Sequence, residues 1–278
     1  MTINFKWYIL ILFHSSIFYA CHSPAYIAVD GTYKNLSAQG MCIAGDKAYL
    51  MNNTGVCRVF DLKRQRVKSE FLLNSYSKSN HVNSASWYNG VIYVSECASP
   101  CRCFVEKIYG DTCSVIVQTI EVNRNKENSI AHDWVVDGKT QSLYTVSNLK
   151  HFYLKEKRGV HRITRYRLPA LEDGSNITLT DADVIESFDV EFPNLLQGAC
   201  IKGKYLYLPT GLHKGNEERL DSERTLIIIN LRKHMIEGKI DIGTIMSNEP
   251  EDCDFYKGRL LLFCGQSGGI YEIPTKIY

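Results

Sequence analysis

The sequence carries no excess of charge of one sign. Its 32 basic and 30 acidic residues leave a formal net charge of +2, so nothing in the global electrostatics points to nucleic acid as a partner. It also lacks a long apolar run. The N-terminal stretch from Trp7 to Tyr19 is interrupted by His14, Ser15 and Ser16 and falls short of the ~20 apolar residues that a membrane-spanning helix needs. No Walker loop, dinucleotide fingerprint, H-E-x-x-H or G-x-S-x-G motif occurs, which removes the readiest signatures of nucleotide, zinc-protease and serine-hydrolase chemistry. Tryptophan is scarce, at Trp7, Trp87 and Trp134.

What is present suits a packed, strand-rich protein. Hydrophobic residues make up 45% and charged residues 22% of the 278 positions, and there are 17 tyrosines. This supports a sizeable core of one large all-β domain or two ordinary ones and argues against disorder. The N-terminus reads as an export signal over residues 1–20, with Lys6 before the apolar stretch and Ala20 at the cleavage point. The phrase Phe18-Tyr19-Ala20-Cys21 resembles a bacterial lipobox with Phe18 where Leu is usual. A lipoprotein with Cys21 lipidated is the first expectation, simple secretion the second and a retained anchor the third.

Of the ten cysteines, Cys42, Cys200 and Cys253 recur near one position of a repeated phrase, as small buried hydrophobes do. Cys97, Cys101, Cys103 and Cys113 cluster without zinc-ribbon spacing, which leaves one or two local disulfides of undetermined pairing as the first alternative and a metal site as the second.

The repeat decides the fold class. A polar residue, a short apolar run, a tight turn and a second apolar run recur five times. Gln39 precedes Tyr49 by ten residues, as Asn83 does Tyr93, Gln197 does Tyr207 and Glu251 does Leu261, while His132 precedes Tyr144 by twelve. Most copies continue into two further short segments rich in β-branched residues and bounded by turn residues, which read as strands. Four strands per copy predict a five-bladed β-propeller occupying residues 22–278 as one domain. The last copy supplies three strands, and Ala25 to Asp30 provides the missing outer one, closing the ring and removing a sheet edge. Two loops stand out as places for binding determinants, Ser147 to Arg158 and Leu212 to Glu223. The basic run Lys150 to Arg167 reads as a solvated loop leading into an edge strand. Sequons at Asn35, Asn52 and Asn176 matter only in a secretory pathway that glycosylates them.

The phrases Ala38 to Asn53 and Leu196 to Gly211 resemble repeat phrases of the plant-type glutaminyl cyclases, and the architecture is similar to the calcium-activated nucleotidases. The resemblance covers the blade framework. The cyclases' tryptophan-rich pocket and the nucleotidases' carboxylate set have no match here, so neither activity is implied.

In a propeller the first strand of each blade lines the axis. Gln39, Asn83, His132, Gln197 and Glu251 are therefore expected to meet at the channel mouth, with His81, Ser84, Asp133, Glu249 and Asp252 beside them. Three uses follow. Gln39, Asn83, Gln197, Asp133 and Asp252 would bind a small molecule, glycan or protein partner. Gln39, Asn83, Gln197 and Glu251 would hold an axial calcium ion. His132 and Glu251 would form an acid–base pair of a hydrolase or cyclotransferase. A scaffold with a merely polar channel is the remaining reading. The expected setting is the periplasm or the cell surface, as a monomer that touches membrane only through a lipid anchor.

Overall fold

The computed structural model describes residues 25–29, 38–76, 78, 81–97, 100–123, 131–148, 159–216, 218–219, 222–265 and 269–274. The export signal, Cys21, the basic loop 149–158 and Asn35 lie outside them.

Five antiparallel sheets surround one axis, and the chain is a five-bladed β-propeller. Blade 1 runs outward through Ala38–Ala44, Lys47–Asn52, Val56–Asp61 and Arg66–Leu72. Blade 2 comprises Val82–Tyr88, Val91–Glu96, Cys103–Tyr109 and Cys113–Val122. Blade 3 comprises Ala131–Asp137, Ser142–Asn148, Val160–Arg167 and Val184–Glu191. Blade 4 comprises Cys200–Lys202, Tyr205–Thr210, Thr225–Asn230 and Met235–Asp241. Blade 5 takes Pro250–Tyr256, Arg259–Cys264 and Ile270–Ile273 from the C-terminal end, and Tyr26–Ile27 adds its outer strand as expected, with Tyr26 opposite Tyr271.

Local chemistry explains the strands. Inner hairpins turn on residues that tolerate positive φ, as at Asn89 and Gly90 (φ 48° and 85°), the pair that a two-residue turn matching strand twist prefers. The second strands are buried almost throughout, whereas outer strands such as Arg66–Leu72 and Met235–Asp241 alternate exposed and half-buried residues. The core is five hydrophobic clusters, one in each seam between neighbouring blades. Leu50, Phe60 and Phe263 pack between blades 5 and 1, and Phe71, Ile92 and Phe104 between blades 1 and 2. Ile120, Trp134 and Leu143 fill the next seam, then Val146, Ile163 and Ile227, then Tyr207, Leu226 and Leu262.

Two features depart from expectation. Ser175–Leu179, inside the connection between the outer two strands of blade 3, crosses to blade 2 and pairs parallel with its edge, Ser175 opposite Gln118 and Leu179 opposite Val122. The buried Gln118 amide anchors the crossing by donating to the Ala170 carbonyl at 2.8 Å and to Ser175 Oγ at 3.0 Å. Blade 2 thus has a fifth strand that covers part of an otherwise open edge. Second, none of the nine described cysteines is disulfide-linked in this structure, so the local disulfides considered among Cys97, Cys101, Cys103 and Cys113 are not present in it. Cys103 is buried within its strand, whereas Cys113 is exposed at the start of the next. Of the sequons, Asn52 is buried and its Oδ1 accepts from the Thr54 and Val56 N–H groups, while Asn176 is exposed.

Candidate functional site

Each innermost strand carries one extra residue relative to its neighbour, and the extra residue falls at the recurring polar position. The register slips between Ala38 and Met41, between Val82 and Ala85, between Ala131 and Asp133, and between Pro250 and Asp252. In blade 4 the same slip separates the Leu196–Thr210 bridge from the Cys200–Tyr207 pair. A bulge bends its strand and re-aims a side chain. Five of them at one level turn Gln39, Asn83, His132, Gln197 and Glu251 out of the regular alternation at the start of the inner strands.

The ring residues make separate sets of contacts, the largest running through Asn83 and Gln197. Gln39 Oε1 lies 3.1 Å from His81 Nε2. Asn83 Nδ2 donates to Asp133 Oδ1 at 2.6 Å and to the Gln197 carbonyl at 2.9 Å, joining blades 2, 3 and 4. Gln197 Nε2 donates to the Gly211 carbonyl at 2.8 Å and to Glu249 Oε1 at 2.9 Å, and Glu249 Oε2 lies 3.5 Å from His213 Nδ1. His132 Nδ1 lies 3.3 Å from Cys97 Sγ. Cys97 is held there by its neighbour Glu96, which is fully buried and accepts from the Arg102 guanidinium at 2.8 and 3.0 Å. Glu251 is buried against Gly265, where any side chain would collide with its carboxyl group.

Asp252 forms the floor. Its Oδ2 accepts the N–H of Met41 at 2.8 Å and of Ala85 at 2.9 Å, and its Oδ1 accepts those of Ala199 at 3.2 Å and Cys253 at 2.8 Å. One carboxyl group thus ties blades 1, 2 and 4 to blade 5. At this level backbone N–H groups of blades 1, 2, 4 and 5 converge on the Asp252 carboxyl group and fill the space between the inner strands. Gly198 exists because of this crowding, since a Cβ there would run into Asp252 Oδ1 and the Glu251 carbonyl. Asp254 repeats the device one pleat deeper, accepting from Ile43 N–H at 2.7 Å.

Burial dominates the electrostatics. It raises Glu251 well above the usual carboxylate range, helped by the charges of Glu249 and Asp252. It lifts Asp133 to about 7 and Asp254 to about 6. Asp252 is likewise pushed up by burial and by Asp133, against the pull of its N–H donors. Both Asp252 oxygens accept hydrogen bonds, so a proton there would displace a donor, whereas Asp133 Oδ2 is buried without a partner. The four N–H groups favour the charged form at Asp252, and Asn83 does so at Asp133. Burial lowers His81 and pushes the Cys97 thiol up to about 12.

The arrangement bears differently on the three expected uses. Gln39, Asn83, Gln197, His132 and Glu251 stand at the bulged starts of the inner strands, and of these Asn83 reaches the Gln197 carbonyl. Asp133 and Asp252, expected as ligand-binding residues, lie fully buried beneath it in structural bonds. The donor set does not fit calcium: Asn83 and Gln197 point NH₂ groups at their neighbours, and burial favours the protonated form of Glu251, whereas calcium takes oxygen donors. Among the described residues no group of three or more His, Cys, Asp or Glu side chains is placed to hold a metal ion. The ring of His132 meets Cys97, while the charges acting on Glu251 are those of Glu249 and Asp252. Trp134 is wholly buried, its Nε1 donating to the Cys101 carbonyl at 3.2 Å, and Trp87 stacks on Tyr49 in a blade seam, so neither lines an aromatic pocket. Sequence reasoning did not find the Cys97–His132 and His213–Glu249 contacts. Their only trace was the position of Cys97 at a strand end and of His213 in a long polar loop.

No protein-family model matches the chain, and no curated protein does. Among solved structures the chain matches the crystal structure of the computationally designed Ika8 protein at 8% sequence identity and a TM-score of 0.37, over 84% of this chain and 70% of that one.

Proposed function

We propose that this propeller is an exported binding protein whose mouth takes a polar, hydrogen-bonding ligand, a glycan or a small polar molecule. The observation that carries the reading is the concentration of bulges at one level, which brings amide, imidazole and carboxyl groups together above a floor held by Asp252. A site made of such groups selects by hydrogen bonds, because each one a ligand fails to match is left unsatisfied. Half-buried His81, His132, Cys97 and Glu249 are the members within reach of a ligand.

A thermal-shift screen of neutral and acidic sugars and small polar metabolites tests this. A hit whose effect vanishes in Gln39→Ala and His132→Ala, with the folds intact, supports the site, and a hit indifferent to both variants overturns it. Export as a Cys21 lipoprotein is tested by the mass of the mature N-terminus, which carries diacylglycerol or does not.

One observation favours an enzyme as second reading. Burial and the charges of Glu249 and Asp252 raise the Glu251 carboxyl well above the usual carboxylate range, the direction a general acid needs. In that reading Glu251→Gln keeps the fold and abolishes turnover of any substrate the screen identifies. The resemblance to glutaminyl cyclases supports only the framework.

A further inference from the structure

Cys200 and Cys253 occupy matching places on the inner strands of blades 4 and 5, and their sulfurs face each other across the seam at 3.3 Å. Both are buried, at 5% and 0% exposure, and the Cys253 thiol also points toward the Tyr207 carbonyl at 3.7 Å. Two thiols so placed need approach by only ~1.3 Å to reach disulfide bonding distance. We propose that Cys200 and Cys253 form a structural disulfide that locks blade 5 to blade 4 when the chain folds in the presence of a disulfide oxidant.

The location gives the bond a purpose. Blade 5 closes the ring from both chain ends, and the N-terminal part contributes only the pair Tyr26–Ile27. Its seam with blade 1 is held by Asp252, by Asp254 and by the Tyr256 hydroxyl on Asp46. Its seam with blade 4 has the Ala199 N–H on Asp252 and the edge-to-face pair Tyr207–Phe255, and the two thiols lie among these contacts. A bond here closes a loop of 53 residues, long enough to restrict the unfolded chain substantially.

The oxidant is a low-molecular-weight disulfide such as oxidised glutathione. One cysteine loses its proton and attacks a glutathione sulfur, breaking that S–S bond and releasing one glutathione thiolate. The second cysteine then attacks the mixed disulfide and expels the other. Two cysteines are oxidised by two electrons, and one glutathione disulfide is reduced to two thiols. Burial encloses both sulfurs, so exchange proceeds during folding, before the seam shuts, and slowly on the folded reduced protein.

The full chain is refolded from denaturant with oxidised and reduced glutathione, or with a reductant alone, then denatured, alkylated and mapped by mass spectrometry. The expected result is a linked peptide pair containing Cys200 and Cys253, with a Tm higher by roughly 5–10 °C than the reduced protein. Cys253→Ser loses both the link and the Tm difference, and Cys97→Ser keeps both. Cys200 and Cys253 fully alkylated after oxidative refolding, linkage confined to other cysteines, or a Tm difference that persists in Cys253→Ser overturns the proposal.

Discussion

The Asp252 carboxylate on the last blade accepts the backbone N–H of Met41 on the first at 2.8 Å, across 211 residues of chain. The same group also accepts from Ala85, Ala199 and Cys253, so one buried side chain fixes the spacing of four inner strands. Hydrogen bonds to a charged acceptor are worth about 1.5–3 kcal/mol each. Asp252→Asn halves the acceptor capacity and turns an NH₂ toward N–H donors. It should lower unfolding free energy by about 3–5 kcal/mol, read as the urea midpoint at unchanged slope. A loss below about 1 kcal/mol would show that the hub is not what holds the axis.

Asp133 makes stability depend on pH in an unusual direction. Its folded pKa is raised to about 7 from an ordinary 3.8 by burial, so between these values the folded protein binds more protons than the unfolded chain. Stability from this group is full below pH ~4 and declines as pH rises to ~7, by at most about 4 kcal/mol. Asp254, raised to about 6, adds the same sign over a narrower window. Urea unfolding of wild type and Asp133→Asn at pH 4.5 and 7.5 isolates the effect: the variant gains relative to wild type at the higher pH. A difference independent of pH contradicts a titrating Asp133.

Gly198 and Gly238 give a contrast within one sheet. A Cβ at Gly198 meets Asp252 Oδ1 and the Glu251 carbonyl, whereas one at Gly238 meets only Ile228 side-chain atoms at 3.4 Å and beyond. Gly198→Ala should cost upward of about 3 kcal/mol. Gly238→Ala should stay within about 1 kcal/mol of wild type. Thermal melts of both variants check this, and equal melts would mean the axis has room to relax.

At the mouth, Gln39→Ala removes the buried amide beside His81 and His132→Ala the half-buried imidazole beside Cys97, while leaving the Asp252 hub intact. Either should weaken a mouth ligand by about tenfold, the effect of one lost hydrogen bond of ~1.4 kcal/mol. Isothermal titration with the strongest ligand from the thermal screen measures it. Unaltered affinity in both would move the binding site elsewhere on the molecule.

Much of the architecture was legible because its causes are local. The repeat from Gln39 to Tyr49 and its four counterparts encodes alternation, turn and strand length within a dozen residues, and even the ring-closing strand Tyr26–Ile27 could be placed by counting. The parallel strand Ser175–Leu179 escaped notice because its partner is the edge of the preceding blade, and nothing within five residues records that. The cysteine cluster misled for a similar reason. Nearness in sequence says little about sulfurs on strands of different burial, whereas Cys200 and Cys253, far apart in the chain, touch.

The sequence by itself determined five blades and a ring of polar residues at the start of the inner strands, because strand period and turn chemistry act over short range. Only the tertiary structure decided what those residues do to one another. It set bulges at their positions, buried Asp133 and Asp252 beneath the mouth, and joined His132 to Cys97. Those outcomes depend on closing the ring, which brings distant main-chain N–H groups to a single carboxylate and excludes the water that would otherwise have served both.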